Sequence, residues 1–165
     1  VGSHFGMSDD IMRKALLGHR PGHLRLSLDR VNGIDVINDS YNSNPLSMRL
    51  AIDALSAYPA RSRWIVAGDM LELGAKSRHF HESIGALIAN SGVSGLLTFG
   101  RYSRHTADRA RACGMDAQSV WHCPRQEDIA GILRKVARKG DAILIKGSRG
   151  MKMEKVVEQL GKETG

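Results

Sequence analysis

Three short polar stretches of this sequence combine residue types that can hold a small charged molecule. Asn38-Asp-Ser-Tyr-Asn-Ser-Asn-Pro45 sets seven polar residues ahead of a proline. Such a stretch before a helix N-terminus offers side-chain donors and acceptors together with free backbone N–H groups. Gly68-Asp-Met-Leu-Glu-Leu-Gly74 places two carboxylates, Asp69 and Glu72, between two glycines, where backbone can approach a ligand closely. Lys146-Gly-Ser-Arg-Gly150 joins two cations to a hydroxyl, a set able to clamp a carboxylate or a phosphate. Asn, Asp, Ser and Gly are equally ordinary turn and capping residues, so each stretch also has a purely structural reading.

The elements that must position these stretches are short β-branched runs alternating with segments of helical period. Ile34 to Asp39 leads into Pro45 to Tyr58, where Met48, Ala51, Ile52 and Leu55 fall on one helical face. Asn44 is a good N-cap and Pro45 a good first-turn residue, which marks that helix start. The unit recurs as Trp64 to Gly68 with a helix presenting Phe80, Ile84, Leu87 and Ile88, and as Gly95 to Gly100 with Ser103 to Ala112. Ser119 to Cys123 precedes Ile129, Ile132, Leu133 and Val136, and Ala142 to Ile145 precedes Met153, Val156, Val157 and Leu160. Leu24 to Val31 can pair with the first strand through Asn32-Gly33, a strong hairpin turn. The pattern predicts a single α/β domain, Rossmann-like and doubly wound, with a mostly parallel sheet and an antiparallel edge strand. In such sheets ligands bind beyond the carboxyl ends of the strands, where all three polar stretches fall.

The remaining features narrow the function by exclusion. The chain has 165 residues, enough for one sizeable core. Residues 1–7 read as an expression scar, 8–23 as a lead-in or linker, and 24–165 as the folded domain. There is no Gly-x-x-x-x-Gly-Lys-Ser/Thr loop for ATP phosphates, no Gly-x-Gly-x-x-Gly after the first strand, no Gly-x-Ser-x-Gly elbow and no His-Glu-x-x-His helix. The two cysteines, Cys113 and Cys123, fit neither a disulfide framework nor a zinc site. No metal site is expected. No apolar run approaches the roughly 18 residues that cross a bilayer, and no signal-peptide layout opens the chain, so a cytoplasmic protein is expected. A formal charge of +7 suits an anionic ligand. Aromatics make up only 5% and do not interleave with the basic residues, which argues against a nucleic-acid module.

The motifs Asp39-Ser-Tyr-Asn-Ser-Asn-Pro45 with Ser47-Met48, Gly68-Asp-Met-Leu-Glu-Leu-Gly74, and Lys146-Gly-Ser-Arg-Gly150, with His81 following the second, resemble the strand-end motifs of the Mur ligase family. The likeness covers residues 24–160 and is to the C-terminal domain, in the MurF-type branch that adds D-alanyl-D-alanine. Tyr41-Asn-Ser-Asn-Pro45 separates this branch from sister ligases; Ser43 stands where the family often carries alanine. The resemblance implies a three-domain enzyme whose earlier domains bind UDP-MurNAc-tripeptide and carry the P-loop and Mg2+. That enzyme would use ATP to form an acyl phosphate, which the amine of D-alanyl-D-alanine attacks. The fragment would supply no catalytic group and would be silent alone.

By position, the resemblance assigns Asp39 to the nucleotide ribose, whose hydroxyls are donors. Tyr41, Asn42 and Asn44 fall along the cleft toward the ATP domain, with helix capping an equally good account of Asn44. Lys146, Ser148 and Arg149 face the dipeptide, Arg149 being the first choice for its carboxylate. Asp69 and Glu72 would orient the attacking ammonium, unless Asp69 only caps a turn, and His81 is a pocket residue or a polar helix position. The arginines between 101 and 111 match no motif and read as a solvated helix face. A sister Mur ligase, a folylpolyglutamate synthetase and a non-catalytic basic module are the rival readings.

Overall fold

Alternating strands and helices make up the computed structural model, which describes residues 27–162. The expectations for residues 1–7, 8–23 and the first residues of the hairpin lie outside that span. The described strands are β1 (Ser27–Val31), β2 (Ile34–Asp39), β3 (Arg63–Gly68), β4 (Gly95–Phe99), β5 (Val120–Cys123) and β6 (Ala142–Lys146). The α-helices are α1 (Pro45–Ala57), α2 (Ser77–Ala89), α3 (Ser103–Ala112), α4 (Gln126–Val136) and α5 (Glu154–Gly161). One sheet forms, in the order β1-β2-β6-β3-β4-β5. All its pairings are parallel except β1 with β2. That edge hairpin turns at Asn32 and Gly33, with φ of 51° and 78°. Two successive positive φ values are what a right-twisted two-residue hairpin requires, and they account for the Asn-Gly pair.

The apolar periodicities sort the sheet into two faces. Ile65, Ala67, Leu96, Ala142 and Leu144 pack with Met48, Ile52 and Leu55 of α1, Ile84 and Ile88 of α2, and Ala107 and Ala110 of α3. Their neighbours Trp64, Val66, Leu97, Ile143 and Ile145 point the other way, onto Ile129 and Leu133 of α4 and Val156 and Leu160 of α5. Strands buried on both faces read as continuous apolar runs, as Ala142-Ile-Leu-Ile145 does. The arginine-rich α3 is only partly a solvated face: Arg111 is half-buried, and its guanidinium donates to the Val120 carbonyl at 2.8 Å.

The placement of β6 creates the crevice. Its chain returns from β5 and inserts between β2 and β3, so the segments leaving β2 and β3 reach α1 and α2 on one face. The segment leaving β6 reaches α5 on the other. Neighbouring strand ends therefore diverge to opposite faces, which opens a cleft at their carboxyl ends. Register sets the three polar loops level, since Lys146 pairs with both Asp39 and Ala67.

Candidate functional site

Side-chain alternation along β6 turns Lys146 toward the α1 face, where it is 1% exposed. Its ammonium donates to Asp39 Oδ2 at 2.5 Å and to the Asn42 carbonyl at 2.9 Å. Lys146 therefore ties the β2 loop to β6 and is not a free clamp. Asp39 keeps 14% of its side chain exposed, and with Tyr41, Asn42 and Leu50 it lines a cavity of about 370 Å³. The asparagines shape this loop. Asn42 Oδ1 accepts from the Ser43 N–H at 2.8 Å, and Asn44 forms a reciprocal capping box with Ser47 at the start of α1. The capping role foreseen for Asn44 is thus realised, while its side chain still borders the cavity.

The β3 loop is held from three sides. Asp69 is buried and accepts from the backbone N–H of Tyr102, at 3.1 Å, and of Ser103, at 2.7 Å. It caps not its own turn but the N-terminus of α3, where no local side chain does so and where a carboxylate is stabilised by the helix dipole. Gly100, at φ 123°, makes room: a Cβ there would lie 2.4 Å from the Asp69 carboxylate. His81 is 1% exposed; its Nε2 accepts from the Met70 N–H at 3.0 Å and its Nδ1 lies 2.7 Å from the Ser77 carbonyl. That network assigns the proton to Nδ1. Ser148 Oγ accepts from the Leu71 N–H at 2.8 Å and donates to the Ser43 carbonyl at 3.2 Å. The β3 and β6 ends touch because both carry glycine: a Cβ on Gly68 or Gly147 would meet Met153 within 2.8 Å.

Glu72 and Arg149 remain exposed at the surface of this scaffold. They share a cavity of about 360 Å³ with Tyr41, Asn42, Leu71 and Ser148. Glu72 sits at φ 63°, a left-handed conformation uncommon outside glycine. One Arg149 nitrogen donates to Glu154 Oε1 at 2.9 Å, and the rest of the fork has no partner among the described residues. A carboxylate and a guanidinium in one cavity are complementary to a molecule carrying an ammonium and a carboxylate. Among the described residues no group of three or more His, Cys, Asp or Glu side chains is placed to hold a metal ion.

All ten candidate residues gather at one end of the sheet, but Asp69, His81, Lys146 and Ser148 are buried in protein contacts that residue type and spacing do not reveal. The roles of Glu154 and Leu71 were not legible in the sequence. Glu154 lies five residues from Arg149, off the helical spacings that flag an ion pair, and Leu71 acts only through its backbone.

Burial lowers the proton affinity of His81, against the opposing pull of the Ser77 carbonyl and the Asp69 charge, and His105 adds to the lowering. Burial also lowers that of His122, with Arg104 contributing. A depressed native value means that both states are neutral above the ordinary imidazole pKa of roughly 6.5, whereas below it the unfolded chain takes up protons first. Stability is therefore fully present above that pH and is lost as the pH falls. The thermal midpoint should drop between about pH 7 and pH 5, with His81 still neutral by NMR when exposed imidazoles have titrated. A flat midpoint over that window contradicts the assignment.

An open α/β sheet with a two-signed crevice at its switch point defines a Rossmann-like domain. The family model for the Mur ligase, glutamate ligase domain, matches residues 25–149, and the chain belongs to the Mur ligase family. The UDP-N-acetylmuramoyl-tripeptide–D-alanyl-D-alanine ligase of Bacillus subtilis is 35% identical over 164 residues, covering 97% of this chain and 35% of the relative. The Mycobacterium leprae enzyme of that name is 32% identical over 169 residues, covering 92% and 32%. Among solved structures, MurF ligase from Thermotoga maritima in complex with ADP superposes with a TM-score of 0.76 at 28% identity, covering 98% of this chain and 35% of that one. MurF from Acinetobacter baumannii shares the fold, with a TM-score of 0.80 at 23% identity over 98% and 35% of the two chains. The chain spans about a third of the length of these relatives.

Proposed function

We propose that this chain is the amine-substrate-binding domain of a cytoplasmic ATP-dependent ligase that joins D-alanyl-D-alanine to UDP-MurNAc-tripeptide. The observation that carries the reading is the pairing of Glu72 and Arg149 in one cavity beside the Asp39 loop. A dipeptide is a zwitterion, and these two side chains supply one counter-charge for each of its ends. Arg149 holds the carboxylate and Glu72 draws the ammonium toward the cleft. Asp39 faces the nucleotide ribose, with Tyr41 and Asn42 along the same wall. The ATP phosphates and Mg2+ are held mainly by parts of the enzyme outside this chain, where ATP turns the tripeptide's terminal carboxylate into an acyl phosphate. Attack by the dipeptide amine then forms the amide and expels phosphate. The activity for which the Bacillus subtilis relative is named and the ADP complex of the Thermotoga structure support this reading.

NMR titration of the 165-residue chain with D-alanyl-D-alanine tests it. Saturable shifts are expected at Leu71, Glu72 and Ser148 to Gly150, with ADP acting instead around Asp39 to Asn44. Because a site shared with other domains loses contacts in the isolated chain, the affinity should be weak. Strong binding of an RNA oligonucleotide with no response to the dipeptide would overturn the reading.

A further inference from the structure

Met70 and Leu71 immediately precede Glu72, and each has its backbone N–H captured by a side chain from a different element. His81, on α2, takes the first at 3.0 Å, and Ser148, after β6, takes the second at 2.8 Å. A non-glycine residue at positive φ, such as Glu72 at 63°, persists only where its surroundings over-determine it. Two buried side-chain acceptors on consecutive N–H groups are such a constraint, since giving up the His81 bond would strand a buried donor and giving up the Ser148 bond a half-buried one. Ser148 is fixed in turn. Its own N–H donates to the Asp69 carbonyl at 3.0 Å and its hydroxyl to the Ser43 carbonyl, so its hydroxyl proton and one lone pair are already used. Both His81 nitrogens are likewise occupied.

We infer that His81 and Ser148 are positioning residues that clamp the Met70–Leu71 backbone and thereby aim the Glu72 carboxylate into the amine subsite. This rests on the amine-subsite reading of the Glu72–Arg149 cavity. Neither residue needs to touch the dipeptide; each acts through Glu72. Groups of opposite effect surround the imidazole: the Asp69 carboxylate favours its protonation and His105 disfavours it, and the Tyr102 ring lies 5.7 Å away. Protonating Nε2 removes the acceptor for Met70, so the clamp opens on the acid side.

The decisive experiment is a double-mutant cycle in a full-length ligase carrying this domain. Ser148→Ala alone should raise the apparent KM for D-alanyl-D-alanine by about fivefold to tenfold, leave that for ATP within about twofold, and be rescued by Ser148→Thr. In a Glu72→Gln background the same Ser148→Ala change should have almost no further effect, because its route to the substrate is gone. Equal, additive effects in the two backgrounds would mean that Ser148 contacts the dipeptide itself, which overturns the proposal. Amide exchange in the dipeptide-free 165-residue chain gives an independent readout. Faster exchange at Leu71 and Glu72 in Ser148→Ala is expected, and unchanged exchange also overturns the clamp. Failure of the unsubstituted ligase to use the dipeptide would instead strike the amine-subsite reading, with the exchange result still deciding whether the clamp exists.

Discussion

Replacing Lys146 by Met should destabilise the domain by about 3–5 kcal/mol, the effect of leaving one partner of a buried ion pair uncompensated. The methionine nearly preserves volume, so packing changes little and the loss reports on charge. Lys146 is 1% exposed and Asp39 14%; water reaches the carboxylate edge, which favours the lower end of that range. The substitution also strands the Asn42 carbonyl, which Lys146 Nζ now satisfies at 2.9 Å. Urea denaturation of the chain checks this: the midpoint should fall with an unchanged m-value. Adding Asp39→Asn should recover part of the loss, because a neutral amide is far easier to leave unpaired than a carboxylate. A loss under about 1 kcal/mol, the range of exposed pairs, would show that water replaces the lysine and that the pair does not fix the β2 loop.

Lys146 also shows where reading residues alone stops. That β6 is a strand, and that its end carries polar residues, follows from Ala142-Ile-Leu-Ile145 running into Lys146-Gly-Ser-Arg-Gly150. The helical faces were equally legible, since Met48, Ala51, Ile52 and Leu55 are all buried as their spacing demands. The Asn32-Gly33 hairpin followed from turn chemistry. What local pattern does not encode is strand order. The insertion of β6 between β2 and β3 brings Lys146 to Asp39, 107 positions away in sequence, and Ser148 to Leu71. Such pairings depend on which edge the chain returns to, and no window of periodicity contains that information. Asp69 is the clearest case: its residue type suggested either a cap or a ligand contact, and it proved to be a cap for α3, a helix that begins 34 residues later.

Arg149 is the residue for which exposure and chemistry point to substrate. In a full-length ligase, Arg149→Ala should raise the apparent KM for D-alanyl-D-alanine by about tenfold or more, as losing a hydrogen bond to a charged group at roughly 1.5–3 kcal/mol implies. The apparent KM for ATP should stay within about twofold. Stability should change by no more than about 0.5 kcal/mol, because a side chain that is 57% exposed and bridged to Glu154 contributes little at the surface. Glu154→Gln separates aim from charge: it leaves the guanidinium in place but weakens the 2.9 Å bond that orients it. A smaller rise in the same KM is expected there. Lysine at 149 should restore only part of the affinity, since a point charge cannot reproduce the bidentate fork. If Arg149→Ala raised both constants equally, the guanidinium would be shaping the shared cleft and not holding the dipeptide carboxylate. That carboxylate would then have to be held by a group beyond the described residues, because Lys146 is committed to Asp39 and no other cation lines the Glu72 cavity among them.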